Sequence, residues 1–184
     1  MNTVYTIGHG TRTLDELVQI LLDHDVRTLV DVRSYPGSRT NSQFAKSNLE
    51  RNLGKPLRYI HVPDLGGRRR TDKGAEKHSA LQVDEFRDYA AYMETPEFQT
   101  ALQKLIELSE READDGFYCC IMCAETLWWR CHRRMISDGL VARGLTVFHI
   151  GMGKKDLEHR LWDTARVMPN NLLIYDQNER DGNN

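Results

Sequence analysis

Residues 117–134 read Phe117-Tyr118-Cys119-Cys120-Ile121-Met122-Cys123-Ala124-Glu125-Thr126-Leu127-Trp128-Trp129-Arg130-Cys131-His132-Arg133-Arg134. Phe117 to Cys123 is an unbroken apolar run of strand length, the pattern of a strand buried on both faces. Open parallel sheets place their ligands beyond the carboxyl ends of such strands. This run ends in a thiol and a carboxylate, and a second thiol, an imidazole and arginines follow within a few residues. Cys123, Glu125, Arg130, Cys131, His132 and Arg133 are therefore expected to crowd one pocket rim.

Outward from this stretch, strands and helices alternate. Val4 to Ile7 reads as a strand and Gly8-His9-Gly10 as a loop. Thr13 opens a helix, with Glu16 completing a capping box. Leu14, Leu17, Val18, Leu21 and Leu22 recur at helical spacing. Thr28 to Val32 is the next strand, followed by a polar loop to Asn41, a short helix over residues 45–52 and a strand from Tyr59 to Val62. Residues 66–82 are polar and read as a mobile loop or lid. Asp84 to Glu94 is helical, and Pro96 starts a second helix that runs to about Ala113. A helix is expected from about Arg130 to Arg143, stopped by Gly144, then a strand over Thr146 to Ile150. Asp156 to Val167 reads as a helix and Leu172 to Tyr175 as a last strand. The pattern predicts one three-layer α/β domain over residues 1–175, with a mostly parallel central sheet flanked by helices. Residues 176–184 form a polar tail.

A chain of 184 residues is long enough for a single domain with a real core. No apolar stretch approaches the roughly 18 residues that span a bilayer, so no membrane partner is expected. Nothing at the N-terminus resembles a secretory leader, which predicts a cytoplasmic protein. In a reducing compartment Cys119, Cys120, Cys123 and Cys131 read as thiols, ligands or nucleophiles rather than disulfides. The net charge of −2 gives no global pull toward nucleic acid. Basic clusters at Arg68 to Arg70 and Arg130 to Arg134 can nonetheless hold a phosphate.

Taken together, Thr6-Ile7-Gly8-His9-Gly10, Asp31-Val32-Arg33-Ser34-Tyr35-Pro36-Gly37-Ser38-Arg39, Tyr59-Ile60-His61, Leu65-Gly66-Gly67, Met122-Cys123-Ala124-Glu125, Cys131-His132-Arg133 and His149-Ile150 resemble the family called domain of unknown function 488. The resemblance spans residues 6–150 and implies that these positions form a site shared by the family. A weaker, fold-level likeness is to rhodanese-type domains, which also show Asp-x-Arg after an early strand and a later strand ending in Cys. Those domains turn a tight loop of amides onto the substrate anion. Here Ala-Glu-Thr-Leu-Trp-Trp-Arg follows Cys123, with no glycine.

Cys123 is the first candidate nucleophile, because a thiol ahead of a helix N-terminus and near arginines ionises readily. Cys119 and Cys120 lie mid-strand and read as core. Glu125 reads as a general base or a helix cap, and His9 or His132 as proton carriers. Arg33, Arg39, Arg130 and Arg133, with Ser38, Tyr59, Gly66 and Gly67, are the candidate anion-binding set. Asp31 is expected to orient Arg33 or a loop amide. Of Trp128 and Trp129, one is expected in the core and the other free to stack on a base or ring of a ligand. Cys-x7-Cys-His is not a recognised zinc spacing, and neighbours on a helix point about 100° apart, so no metal is assigned. The cofactor is left open. The expected activity is that of an enzyme on an anionic, nucleotide-like or nucleic-acid substrate. The alternative is a binding or sensing module that uses the same pocket, and the oligomeric state is left open.

Overall fold

The computed structural model describes residues 2–37, 40–71 and 73–177. Strand β4 (Tyr118–Cys123) runs through the middle of the sheet. Its side chains alternate between two cores, Ile121 facing one and Cys120 and Met122 the other. Strands β1 (Thr3–Gly8) and β2 (Val26–Asp31) lie on either side of it and parallel to it. Beyond them come β3 (Arg58–His61) and β5 (Thr146–His149), also parallel. The two-residue β6 (Leu157–Glu158) closes the sheet antiparallel to β5, giving the order β3-β2-β4-β1-β5-β6. The apolar run thus forms a buried parallel strand, and the fold is a three-layer α/β domain with a mostly parallel sheet.

Helices α1 (Leu14–Asp23) and α2 (Lys46–Asn52) cover one face. Leu17, Leu21, Leu49 and Leu53 pack there on Ile7, Leu29, Cys120 and Met122. Helices α3 (Asp84–Met93), α4 (Pro96–Asp114) and α5 (Arg133–Val141) cover the other face. On this side Tyr89, Phe98, Leu102, Met135 and Leu140 pack on Val30, Ile121 and Val147. Thr13 and Glu16 make the capping box of α1, and Pro96 sits in the first turn of α4. Gly144 takes a left-handed φ of 83° just past α5. None of the described helices is long and apolar enough to cross a membrane.

Three expectations fail locally. Asp156 to Val167 is not a helix: it contributes β6, and β7 (Ala165–Val167) then pairs antiparallel with β8 (Leu173–Tyr175) in a separate two-stranded sheet. The His159 amide donates to Val147 O at 2.8 Å, and this tertiary pairing holds the segment extended instead of helical. The segment expected as a mobile lid is anchored instead. Its His78 and Leu81 are buried, and the Ala80 amide donates to Tyr175 O. Finally, α5 starts at Arg133, not Arg130. A 3-10 turn at Trp128–Arg130 precedes it, and Cys131 is extended (φ −124°, ψ 147°). At the C-terminus, Asp176 accepts from Arg166, and the Gln177 amide donates to Thr164 O. Residues 178–184 of the expected tail lie outside the described residues.

Candidate functional site

Chain leaving β2 enters α2 on one face, whereas chain leaving β4 enters α5 on the other. Between two such neighbouring strands the outgoing connections separate, and a crevice opens at their carboxyl ends. A cleft of about 590 Å³ lies there, lined after β2 by Arg33, Ser34, Tyr35 and Gly37 and after β4 by Cys123 to Glu125 and Arg130 to His132. Gly67, Arg68, Glu85, Phe86 and Tyr89 complete its wall. A larger cleft of about 710 Å³ between β3 and α4 contains none of the four cysteines.

Cys123, Cys131 and His132 meet in the cleft. His132 Nδ1 is 3.5 Å from Cys131 Sγ and 4.0 Å from Cys123 Sγ. The other ring nitrogen, Nε2, lies 3.0 Å from Val32 O. A carbonyl only accepts, so Nε2 carries a proton, and in the neutral ring the Nδ1 lone pair faces the sulfurs. Gly67 packs directly on this ring, and any Cβ there would overlap it. Tyr89 meets the ring edge-on at 5.3 Å. The thiols differ in character. Burial alone would raise Cys131, but the hydrogen bond from Cys123, then His132 and Arg133, hold it well below the usual thiol range. Cys123 is raised well above that range by donating to Cys131 and by burial. Cys119 and Cys120 are fully buried, and burial pushes the Cys119 thiol up to about 12.

Arg33 is held by a buried clamp. The fully buried Asp31 accepts from Arg33 Nε at 2.8 Å, Arg33 Nη2 at 2.6 Å, the Arg33 amide at 3.1 Å and Tyr59 OH at 2.7 Å. Arg33 Nη2 also donates to Phe44 O. His9 donates from Nδ1 to Gly10 O, so its Nε2 is the acceptor for Arg33 Nη1 at 3.3 Å. Burial lowers the His9 pKa, in keeping with a neutral ring stacked on Phe44. Among the described residues, four of the five guanidinium N–H groups are thereby used, and the fifth, on Nη1, faces the cleft that Arg33 lines.

Of the residues expected at the site, Cys123, Glu125, His132, Arg33, Gly67 and Arg130 line the cleft. His9, Tyr59 and Asp31 stand behind Arg33. Gly66 packs under Ser34. Arg133 is buried beneath the 124–126 loop and donates to Glu125 O at 2.5 Å and to Thr6 Oγ1 at 3.2 Å. Glu125 is exposed and accepts from the Leu127 amide at 3.1 Å, at the entry to the 3-10 turn before α5. Ser38 and Arg39 lie outside the described residues. Glu85 and Phe86 had no place in the expected site, because they carry no local pattern that marks a pocket wall, whereas Tyr35 and Arg68 lie in the shared motif and the basic cluster.

A buried hydrogen-bond chain beneath the site was also missed. Arg133 donates to Thr6 Oγ1, whose hydroxyl lies 2.8 Å from His149 Nδ1. His149 Nε2 lies 3.0 Å from His159 Nδ1, and His159 Nε2 lies 2.8 Å from Asp138 Oδ1. Tyr175 OH donates to Asp138 Oδ2 at 3.0 Å. With every donor pointing toward Asp138, the chain satisfies both rings in their neutral forms. Trp128 stacks on His149 at 4.1 Å with planes 6° apart, while Trp129 is exposed. His159 and Asp138 sit in segments that read as helices, so sequence spacing gave no signal for the chain.

The loop after Cys123 is zipped to the loop after β1: the His9 amide donates to Cys123 O, and the Gly10 amide to Ala124 O. Gly8 lies against the Glu125 carbonyl, which a Cβ would overlap. Gly8→Ala is expected to cost about 1–3 kcal/mol through overpacking. Gly153→Ala, with open space around it, should stay within about 0.5 kcal/mol. Urea unfolding of the two variants checks the contrast, and equal midpoints would remove the steric explanation.

These features define an α/β protein with a thiol–imidazole cluster and a clamped arginine at the carboxyl ends of two adjacent parallel strands. The chain belongs to the family described as domain of unknown function DUF488, whose model matches residues 13–140. No curated protein and no solved structure matches it, so the rhodanese likeness gains no support from a structural neighbour.

Proposed function

We propose that the cleft between β2 and β4 is the active site of an enzyme acting on an anionic, nucleotide-like or nucleic-acid substrate. The observation that carries this reading is the meeting of Cys123, Cys131 and His132 in a cleft whose wall also bears arginines. Arg33 offers its remaining N–H from a fixed position, while Arg68 and Arg130 are exposed and adjustable. Tyr35, 76% exposed on the same wall, is a platform on which a base can stack. The sulfur–imidazole cluster supplies the reactive groups, and Glu125 lies beside them as the carboxylate for proton transfer. Four unbridged cysteines suit a reducing compartment such as the cytoplasm.

Equilibrium dialysis with nucleoside monophosphates, inorganic pyrophosphate and short oligonucleotides tests the binding step. Arg130→Ala and Arg68→Ala are each expected to weaken binding roughly tenfold, the size of one charge-assisted hydrogen bond. Affinity should also fall as salt rises. For turnover, Cys123→Ala and Glu125→Ala are compared in an activity screen. An activity that survives both changes would remove the catalytic assignment, and salt-sensitive binding without turnover would leave a binding module.

A further inference from the structure

We propose that Cys123, Cys131 and His132 are three ligands of a soft divalent metal ion, Zn²⁺ by its chemistry, with the fourth position open to the cleft. This deepens the functional reading and rests on it only for the occupant of that fourth position, an oxygen of the anionic substrate. The three donor atoms lie within 4.8 Å of one another. Tetrahedral zinc, with bonds of about 2.3 Å to sulfur and 2.05 Å to nitrogen, sets sulfur–nitrogen edges of about 3.6 Å. The observed 3.5 Å from His132 Nδ1 to Cys131 Sγ already meets that edge. The 4.0 Å to Cys123 Sγ needs a shift of only a few tenths of an ångström.

The expectation against a metal assumed that residues 131 and 132 share a helix and diverge. They do not: Cys131 is extended and His132 is the N-cap of α5, so both side chains turn to the same side. The hydrogen bond from Nε2 to Val32 O is the usual support of a ligating histidine, because it fixes the tautomer and aims the other nitrogen. Gly67 and Tyr89 hold the ring in that orientation. A Cys123–Cys131 disulfide would use both sulfurs but leave the imidazole lone pair without a role. Three protein ligands with a fourth position on a cleft is the arrangement of reactive rather than purely structural zinc.

The test uses the untagged full chain, reduced and stripped with a chelator, and titrated with Co²⁺. Expected are one equivalent bound, a near-ultraviolet sulfur-to-cobalt charge-transfer band, intense tetrahedral visible bands, and displacement by one equivalent of Zn²⁺. Cys131→Ser and His132→Ala should each weaken binding by more than about 100-fold, beyond the loss typical of a supporting residue. Zn²⁺ should also raise the thermal midpoint of the unmodified protein, a readout that does not depend on whether a variant folds. Less than a tenth of an equivalent bound, or a cobalt spectrum without the sulfur band, would overturn the proposal. Pyrophosphate binding to the stripped protein is measured in parallel. Anion binding without cobalt binding removes the metal site alone. Cobalt binding with the sulfur band, and no anion held by either form, removes the substrate reading and leaves the metal site standing.

Discussion

Arg33→Met should cost about 3–5 kcal/mol of folding free energy, the range for breaking a buried ion pair from one side. The Asp31 carboxylate is fully buried and takes three of its four hydrogen bonds from Arg33. The backbone amide at position 33 keeps one of these after the change, but both guanidinium contacts vanish. The carboxylate is then left with that amide and Tyr59 OH. Its charge has no cation within the clamp, and the low local dielectric makes that costly. The double change Arg33→Met with Asp31→Leu removes the orphaned charge along with its partner, and should recover more than half of the loss. Urea unfolding of both single variants and the double variant checks this as a double-mutant cycle. A single-variant loss below about 1 kcal/mol would mean that the clamp contributes little to folding. Because the clamp also aims Arg33 into the cleft, ligand affinity should fall in the single variant even where it remains folded.

The second large effect is loss of stability in acid, with His149 as the main cause. Burial, then the neighbouring His159 and Arg133, push the His149 pKa down to about 2. In the unfolded chain an ordinary histidine titrates near 6.5. Below that pH the unfolded state binds a proton that the folded ring refuses, so stability falls as pH falls. The stabilisation is full above about 7 and drains steadily from 6.5 downward. By pH 5 the loss from this one residue amounts to about 2 kcal/mol. Burial shifts His9 and His78 in the same direction, so the whole protein should be steeper still. His149→Gln removes the titrating group. It should be less stable at pH 7, yet lose about 2 kcal/mol less between pH 7 and 5. Parallel pH profiles for the two proteins would show that His149 does not govern the acid limb.

The contrast between these two features shows what the sequence could reveal. Asp31 and Arg33 are two residues apart at a strand end, so their pairing is legible from spacing and strand geometry alone. The same holds for Cys123 at the end of an apolar run and for the Thr13–Glu16 cap. The hydrogen-bond chain through Thr6, His149, His159 and Asp138 joins segments distant in sequence, and no local periodicity reports it. His159 sits in the segment from Asp156 to Val167 that reads as a helix, but backbone pairing with β5 decides its conformation. The extended conformation at Cys131 was hidden for a similar reason. Arg130 before it and Arg133 to Met135 after it are good helix formers, and only the 3-10 turn before it tells that the helix starts later. The expectation that the side chains of residues 131 and 132 diverge along one helix rested on that backbone assumption.

The borders of the central sheet have their own consequence. One border is the four-residue β3, whose Arg58 reaches across to the buried Glu112. The other is the two-residue β6, with Leu157 and Glu158 both turned to solvent. A second chain laid along either border would find few rungs, and on one side a guanidinium already engaged. Sheet extension from chain to chain is thereby disfavoured at both borders, and the strongly apolar central strand stays shielded between its paired neighbours.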